Sequence, residues 1–195
     1  MNYILASKSP RRKEILETLG VAFEVVTADV DESSDVTDPC RLVEILSERK
    51  GLAVRDRLLS EGRDLSDTVI ISSDTVVAAG GEILGKPRDR ADACRMLSML
   101  SGRSHTVVSG ISLITPTAAH TSHEVTLVTF DPLDAETIER YVDTARPYDK
   151  AGAYAIQETA SLFISGIEGC YFNVVGLPVH KLNLLHREAL GKNLL

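Results

Sequence analysis

The sequence predicts an α/β fold built on a mixed sheet, and three observations predict it. Short apolar runs with strand character, at 3–6, 23–26 and 68–71, alternate along the chain with amphipathic stretches of helical period. Helix-start chemistry precedes several of those stretches: Ser9-Pro10, Asp134 and Pro178. The Gly80-Gly81 pair, between the apolar runs 76–79 and 82–84, is a two-residue hairpin signal, so part of the sheet is antiparallel.

Taken in order, residues 3–6 read as a buried strand. Ser9 as N-cap with Pro10 at the first helical position starts a helix; Ile15, Leu16 and Leu19 give it an apolar face, and Gly20 stops it. A second strand follows at 23–26. The acidic stretch 29–35 leads into a long helix over 39–59, with Leu42, Ile45, Leu46, Leu52 and Ala53 as its periodic face and Gly51 as a local weakness. The apolar strand 68–71 is expected to end at Ser72-Ser73-Asp74-Thr75, ahead of the hairpin. A helix over 89–100, an antiparallel strand pair over 106–115 and 124–130, a helix over 135–143, a strand over 161–167 and a closing helix over 179–190 complete the chain. No repeat, low-complexity tract or linker interrupts it, so a single domain over 1–195 is expected.

With 44% hydrophobic and 25% charged residues, the chain lies outside the disordered range. Its net charge of −7 argues against broad electrostatic binding of nucleic acid or an anionic membrane. Positive charge for an anionic ligand must therefore be concentrated locally. No run approaches the roughly 20 apolar residues of a bilayer span, and the apolar part of residues 1–8 is too short for a signal peptide. Cys40, Cys94 and Cys170 are scattered and form no C-x-x-C, the pattern of reduced thiols. A cytoplasmic protein without a membrane or nucleic-acid partner is the expectation.

Five segments carry candidate chemistry. In 5–16 a strand feeds a turn and then a helix whose first residues include Arg11 and Arg12; free N–H groups, the positive dipole end and two planar donor forks suit phosphate oxygens. The same residues would serve equally as a surface helix start with solvated arginines. Asp74, at the end of an apolar strand, stands where α/β folds collect ligands and could coordinate Mg²⁺ or take a proton from water; a turn aspartate capping its own backbone is the alternative. Lys86, held between Gly85 and Pro87, offers an ammonium to a phosphate, or is simply exposed. In 148–157, Asp149, Lys150 and Gln157 border small residues, as a wall open to a ligand requires. Segment 169–178 reads as a packed loop of structural service. His120 and His123 lack a third ligand nearby, so a metal role is not expected there; His105, His180 and His186 are isolated and read as surface or packing residues. Serine-hydrolase, P-loop and dinucleotide-binding glycine signatures are absent.

Read together and in order, segments 5–16, 72–77, 84–87, 100–105, 149–157 and 169–178 resemble the Maf family of nucleotide pyrophosphatases over nearly the whole chain. The resemblance implies an elongated mixed sheet flanked by helices, two lobes around a cleft, and kinship with inosine-triphosphate pyrophosphatases. It implies cleavage between the α and β phosphates of a nucleoside triphosphate with a divalent cation, Mg²⁺ or else Mn²⁺. It assigns Asp74 as catalytic carboxylate and metal ligand, Glu32 as an acidic position near the metal, and Ser7, Arg11, Arg12, Lys50 and Lys86 as phosphate contacts. Arg11, Thr75 and Gln157 match the branch acting on dTTP and UTP, whereas the 7-methyl-GTP branch differs at all three; hydrolysis of dTTP and UTP, with CTP or modified pyrimidine nucleotides as further candidates, is the expected activity. Glu48-Arg49-Lys50, Ser109 and Cys170 depart from the family's more usual residues. A homodimer is a common expectation for such enzymes. A nucleotide-binding regulator without turnover is the rival from another class, and it predicts binding without pyrophosphate release.

Overall fold

Seven strands form one mixed sheet in the order β2-β1-β3-β5-β6-β7, with β4 hydrogen-bonded to β3. The structure is a computed structural model and describes residues 1–195. The elements are β1 (Asn2–Leu5), α1 (Pro10–Thr18), β2 (Phe23–Val25), α2 (Pro39–Ser60), β3 (Thr68–Ala79), β4 (Glu82–Leu84), α3 (Arg90–Leu100), β5 (Ser104–Ile114), β6 (Ala119–Phe130), α4 (Ala135–Ala145), β7 (Ile164–Glu168), α5 (Tyr171–Val175) and α6 (Val179–Leu190). β1 pairs in parallel with both β2 and β3, whereas β4 and β7 pair antiparallel with β3 and β6. The expected α/β class with a mixed sheet is what forms.

The chain divides into two compact units. The first comprises Met1–Asp74, Ser109–Glu124 and Gly176–Leu195; the second comprises Thr75–Val108 and Val125–Val175. In the first unit, Ile4, Ala6, Val54, Leu58, Leu65, Ile70 and Ile114 form a core. Burying each large aliphatic there contributes about 1.5–3 kcal/mol. In the second, Val77, Leu97, Leu100, Val128 and Val142 pack with an aromatic group of Phe130, Tyr141, Tyr154 and Phe163. Ring pairs at 4.9–5.4 Å link these rings edge-to-face, and His105 joins them. His105 is buried, its Nε2 lies 2.8 Å from the Tyr154 hydroxyl, and burial pulls its pKa down to about 4, so it is a neutral core residue. His186 is likewise buried, between the Tyr3 hydroxyl (2.9 Å) and the Lys192 carbonyl (2.7 Å).

Several elements depart from expectation for identifiable reasons. β3 does not end at Ser72 but runs unbroken through Asp74 to Ala79. Ser72 and Ser73 are fully buried, and their hydroxyls donate to the Ser47 carbonyl (2.7 Å) and the Gly176 carbonyl (3.0 Å), so these polar residues extend the strand. The buried stripe of α2 is Val43, Leu46, Ser47, Gly51, Val54 and Leu58, rotated from the expected one. Gly51 belongs to that stripe because a Cβ there would stand 2.6 Å from Ile114 and 2.7 Å from the Ser72 hydroxyl. Asp38 caps the helix by accepting from the Cys40 amide at 3.2 Å. Ser9 occupies the N-cap of α1 without a side-chain bond; the Ser7 hydroxyl accepts the Ser9 amide instead, at 3.2 Å.

β6 begins at Ala119, earlier than its apolar pattern, since Thr121 and His123 find partners in Ser112 and Glu44. Residues 161–163 fall within a 3-10 turn (Thr159–Phe163) that seats Ala160 and Phe163 in the core, and β7 starts only at Ile164. Segment 169–178 contains α5, anchored by the Asn173 amide on the Val107 carbonyl and the Thr126 hydroxyl, each at 2.9 Å. The hairpin forms as expected, with Gly80 at φ +58° and Gly81 at φ +82°, the pair of positive values a primed two-residue turn requires.

Candidate functional site

Asp74 lies in β3 three residues past Ile71, the last β3 residue paired with β1, so it stands beyond the carboxyl end of β1. That position keeps the logic of a ligand site at the carboxyl edge of parallel strands, although the residue is inside a strand. Gly51 lets α2 press on β3 at Ser72, and the Ser72 hydroxyl fastens the contact on the Ser47 carbonyl. Lys50, one residue before Gly51, is thereby aimed at Asp74. Its ammonium lies 2.5 Å from Asp74 Oδ1 and 2.9 Å from Glu32 Oε1. The Asp74 and Lys50 side chains are 12% and 18% exposed and Glu32 is 55% exposed, so one side of the trio opens to solvent.

The loop carrying Glu32 is held from α2 as well. The Arg49 guanidinium donates to the carbonyls of Asp31 and Ser33, which flank Glu32. Glu48 accepts from Thr121 at 3.0 Å, within a chain of hydroxyls that continues to Ser112 and Ser47. The acid that shares Lys50 with Asp74 is therefore Glu32, and Arg49 braces its loop.

Arg12 extends from the first turns of α1 into the same unit. Its Nε donates to the Gly176 carbonyl at 2.8 Å, and its Nη1 donates to the Ser73 carbonyl at 2.8 Å and to the Ser7 hydroxyl at 3.2 Å. Burial pulls its pKa down, the negative charge of Asp74 pulls it back up, Arg11 lowers it and Glu32 raises it. Arg11, half-buried, adds a second guanidinium at this helix start. The first unit thus brings together Ser7, Arg11, Arg12, Glu32, Lys50 and Asp74.

The second unit holds Thr75, Lys86 and Gln157. Lys86 is exposed between buried Leu84 and Pro87, and the chain after it is fixed by Arg88, whose backbone and guanidinium both donate to Asp92 at 3.1 Å. Those bonds from Arg88, with one from Arg95, hold the Asp92 carboxyl down at about 2. The Gly85 carbonyl accepts the Gly152 amide at 3.0 Å, which sets the Lys86 turn beside segment 148–157. Gly152 has φ +67°, and a Cβ there would approach Val77 to 2.8 Å. Lys150 is buried and paired with Asp149 (2.8 Å) and Glu158 (3.4 Å), while Gln157 is exposed. Ser47, Arg49, Ser72, Ser73 and Gly176 also shape the site, and none of them belongs to a recognisable motif. Serines inside an apolar run are the one signal the sequence offers for them.

An α/β fold with a nearly buried carboxylate on an ammonium, and two guanidinium groups at a helix start in the same compact unit, has the charge arrangement that suits a polyanionic ligand. The model of the family described as Maf-like protein matches residues 2–189. A dTTP/UTP pyrophosphatase from Desulforamulus reducens is 48% identical over 182 residues, covering 92% of this chain and 92% of that one. Proteins of the same description from Thermosipho africanus and Symbiobacterium thermophilum are 46% and 47% identical, covering 93% and 91% of this chain and 90% and 89% of theirs. Among solved structures, a nucleoside-triphosphatase/dITP/XTP pyrophosphatase from Mycobacterium abscessus aligns with a TM-score of 0.39 at 18% identity, over 67% of this chain and 73% of that one. The chain belongs to the Maf family.

Proposed function

We propose that this protein is a nucleoside triphosphate pyrophosphatase that hydrolyses dTTP and UTP to the monophosphate and pyrophosphate, with CTP and modified pyrimidine nucleotides as secondary substrates. The observation that carries the chemistry is Asp74, 12% exposed and in contact with the Lys50 ammonium. The curated relatives named above supply the substrate class. The family match over 2–189 supports treating 1–195 as one functional domain.

Asp74 takes a proton from water, whose oxygen attacks the α-phosphorus. The bond from that phosphorus to the oxygen bridging the β-phosphate breaks, and pyrophosphate leaves with the electron pair. Ser7, Arg11, Arg12, Lys50 and Lys86 hold the phosphates, so catalysis is positioning plus charge stabilisation. Asp74 and Glu32 suit a divalent cation: two carboxylates already share a cation, Lys50, while no group of three or more His, Cys, Asp or Glu gathers anywhere in the chain. That donor set matches Mg²⁺, which is held by one or two carboxylates completed by substrate phosphates; Mn²⁺ is the alternative. When bound, such a cation neutralises phosphate charge.

Arg11, Thr75 and Gln157 set the base preference in this proposal. The Gln157 amide offers a donor and an acceptor, which suits the edge of uracil or thymine. No helix is long and apolar enough to cross a membrane; the three cysteines are free, which supports a reduced, cytoplasmic setting. A homodimer without a nucleic-acid partner completes the proposal.

The test is kcat/KM with Mg²⁺ over dTTP, UTP, CTP, GTP, ATP and 7-methyl-GTP. Highest values for dTTP and UTP are expected, by about 10-fold or more over the purines, the scale of discrimination one set of pocket contacts supplies. A preference for GTP or 7-methyl-GTP would overturn the roles of Arg11, Thr75 and Gln157, and nucleotide binding without turnover would favour a regulator.

A further inference from the structure

We propose that Arg12, beyond the phosphate contact assigned above, is a positioning residue: its guanidinium pins the peptide before Asp74 to the loop before α6 and so sets where the carboxylate stands. Its planar fork spends two donors at 2.8 Å on the carbonyls of Ser73 and Gly176, and one of them also reaches the Ser7 hydroxyl at 3.2 Å. Ser73 closes the ring, since its buried hydroxyl donates to the same Gly176 carbonyl at 3.0 Å. Gly176 has φ +119°, a conformation that favours glycine, so the carbonyl that accepts both bonds sits on a backbone shaped for the purpose.

Three segments far apart in sequence thus meet at one guanidinium: the turn after β1, the middle of β3 and the entry to α6. Asp74 is the next residue after the pinned carbonyl, so a slack clamp moves it directly. A lysine would keep the charge but cannot reach two carbonyls with a rigid fork. Bonds from a charged donor to neutral carbonyls are among the stronger hydrogen bonds, which suits a fixed strut.

The kinetic readout rests on the pyrophosphatase function proposed above; a second readout does not. Wild type, Arg12→Lys, Ser73→Ala and the double variant are compared for dTTP turnover and for amide hydrogen exchange over residues 72–75. Arg12→Lys is expected to lower kcat about 100-fold, the cost of misplacing a reacting group by about 1 Å. Ser73→Ala, whose lost hydroxyl bonds only within the protein, is expected to lower kcat by less while keeping KM. The double variant should lose less than the product of the two, as expected for one shared brace. Exchange over 72–75 should quicken in both single variants. Retained kcat with a raised KM in Arg12→Lys, a silent Ser73→Ala and unchanged exchange would overturn the clamp and leave Arg12 a phosphate contact only. If wild type fails to turn over dTTP, the functional proposal fails, and exchange alone still decides the clamp.

Discussion

Asp74→Asn is expected to lower kcat for pyrophosphate release from dTTP by about 1,000-fold, within the range that positioned general acid–base groups supply. The substitution keeps the shape and one acceptor oxygen but removes the proton-accepting charge. It should leave the fold intact, because Lys50 keeps its bond to Glu32 at 2.9 Å and is not stranded without a counter-charge. Circular dichroism and a melting curve alongside steady-state kinetics separate the two effects. Turnover near wild type in a folded Asp74→Asn protein would remove Asp74 from the chemistry.

Gly110→Ala is expected to cost the most stability, about 3 kcal/mol, toward the upper part of the overpacking range. A Cβ on this β5 residue would lie 2.2 Å from the Val43 carbonyl oxygen and 2.4 Å from its carbon. Both atoms are helix backbone, which cannot swing aside as a side chain would. The helix must lift, and with it the stretch of α2 that carries Lys50. At about 2–4 °C per kcal/mol for a chain of this size, the melting temperature should fall by about 10 °C. Gly51→Ala meets only side chains, Ile114 and Ser72, so a smaller fall is expected there. An unchanged melting temperature in Gly110→Ala would mean that α2 does not approach β5 as closely as the structure has it.

The parts of the fold legible in the sequence are those whose signals are local. Pro10, the Gly80-Gly81 pair, Asp134 and Pro178 each constrain backbone within a few residues, and α1, the β3–β4 hairpin, α4 and α6 form where these residues put them. The path of β3 was not legible: Ser72-Ser73 resembles a turn until their hydroxyl partners on α2 and beside α6 are known. The α2 stripe differs from the apolar periodicity for a related reason, since Ser47 and Gly51 are buried by close approach rather than by hydrophobicity.

The candidate site divides in the same way. Arg11 and Arg12 at a helix start, and Asp74 after an apolar run, were visible as residue types in suitable places. That Lys50 bridges Glu32 and Asp74 depends on how α2 and its preceding loop pack, which periodicity does not encode; only the likeness to a family pointed to them. Arg49, Ser73 and Gly176, which brace the trio, carry no motif. Their roles exist only as hydrogen bonds across distant segments.

If water attacks the α-phosphorus of a pyrimidine nucleoside triphosphate, the position of the water oxygen in the products reveals it. Purified protein is incubated with dTTP and Mg²⁺ in ¹⁸O-labelled water, and the products are resolved by anion exchange and mass spectrometry. The expected products are dTMP carrying the label and unlabelled pyrophosphate. Formation of dTDP and labelled inorganic phosphate would place the attack at the γ-phosphorus and contradict the proposed function.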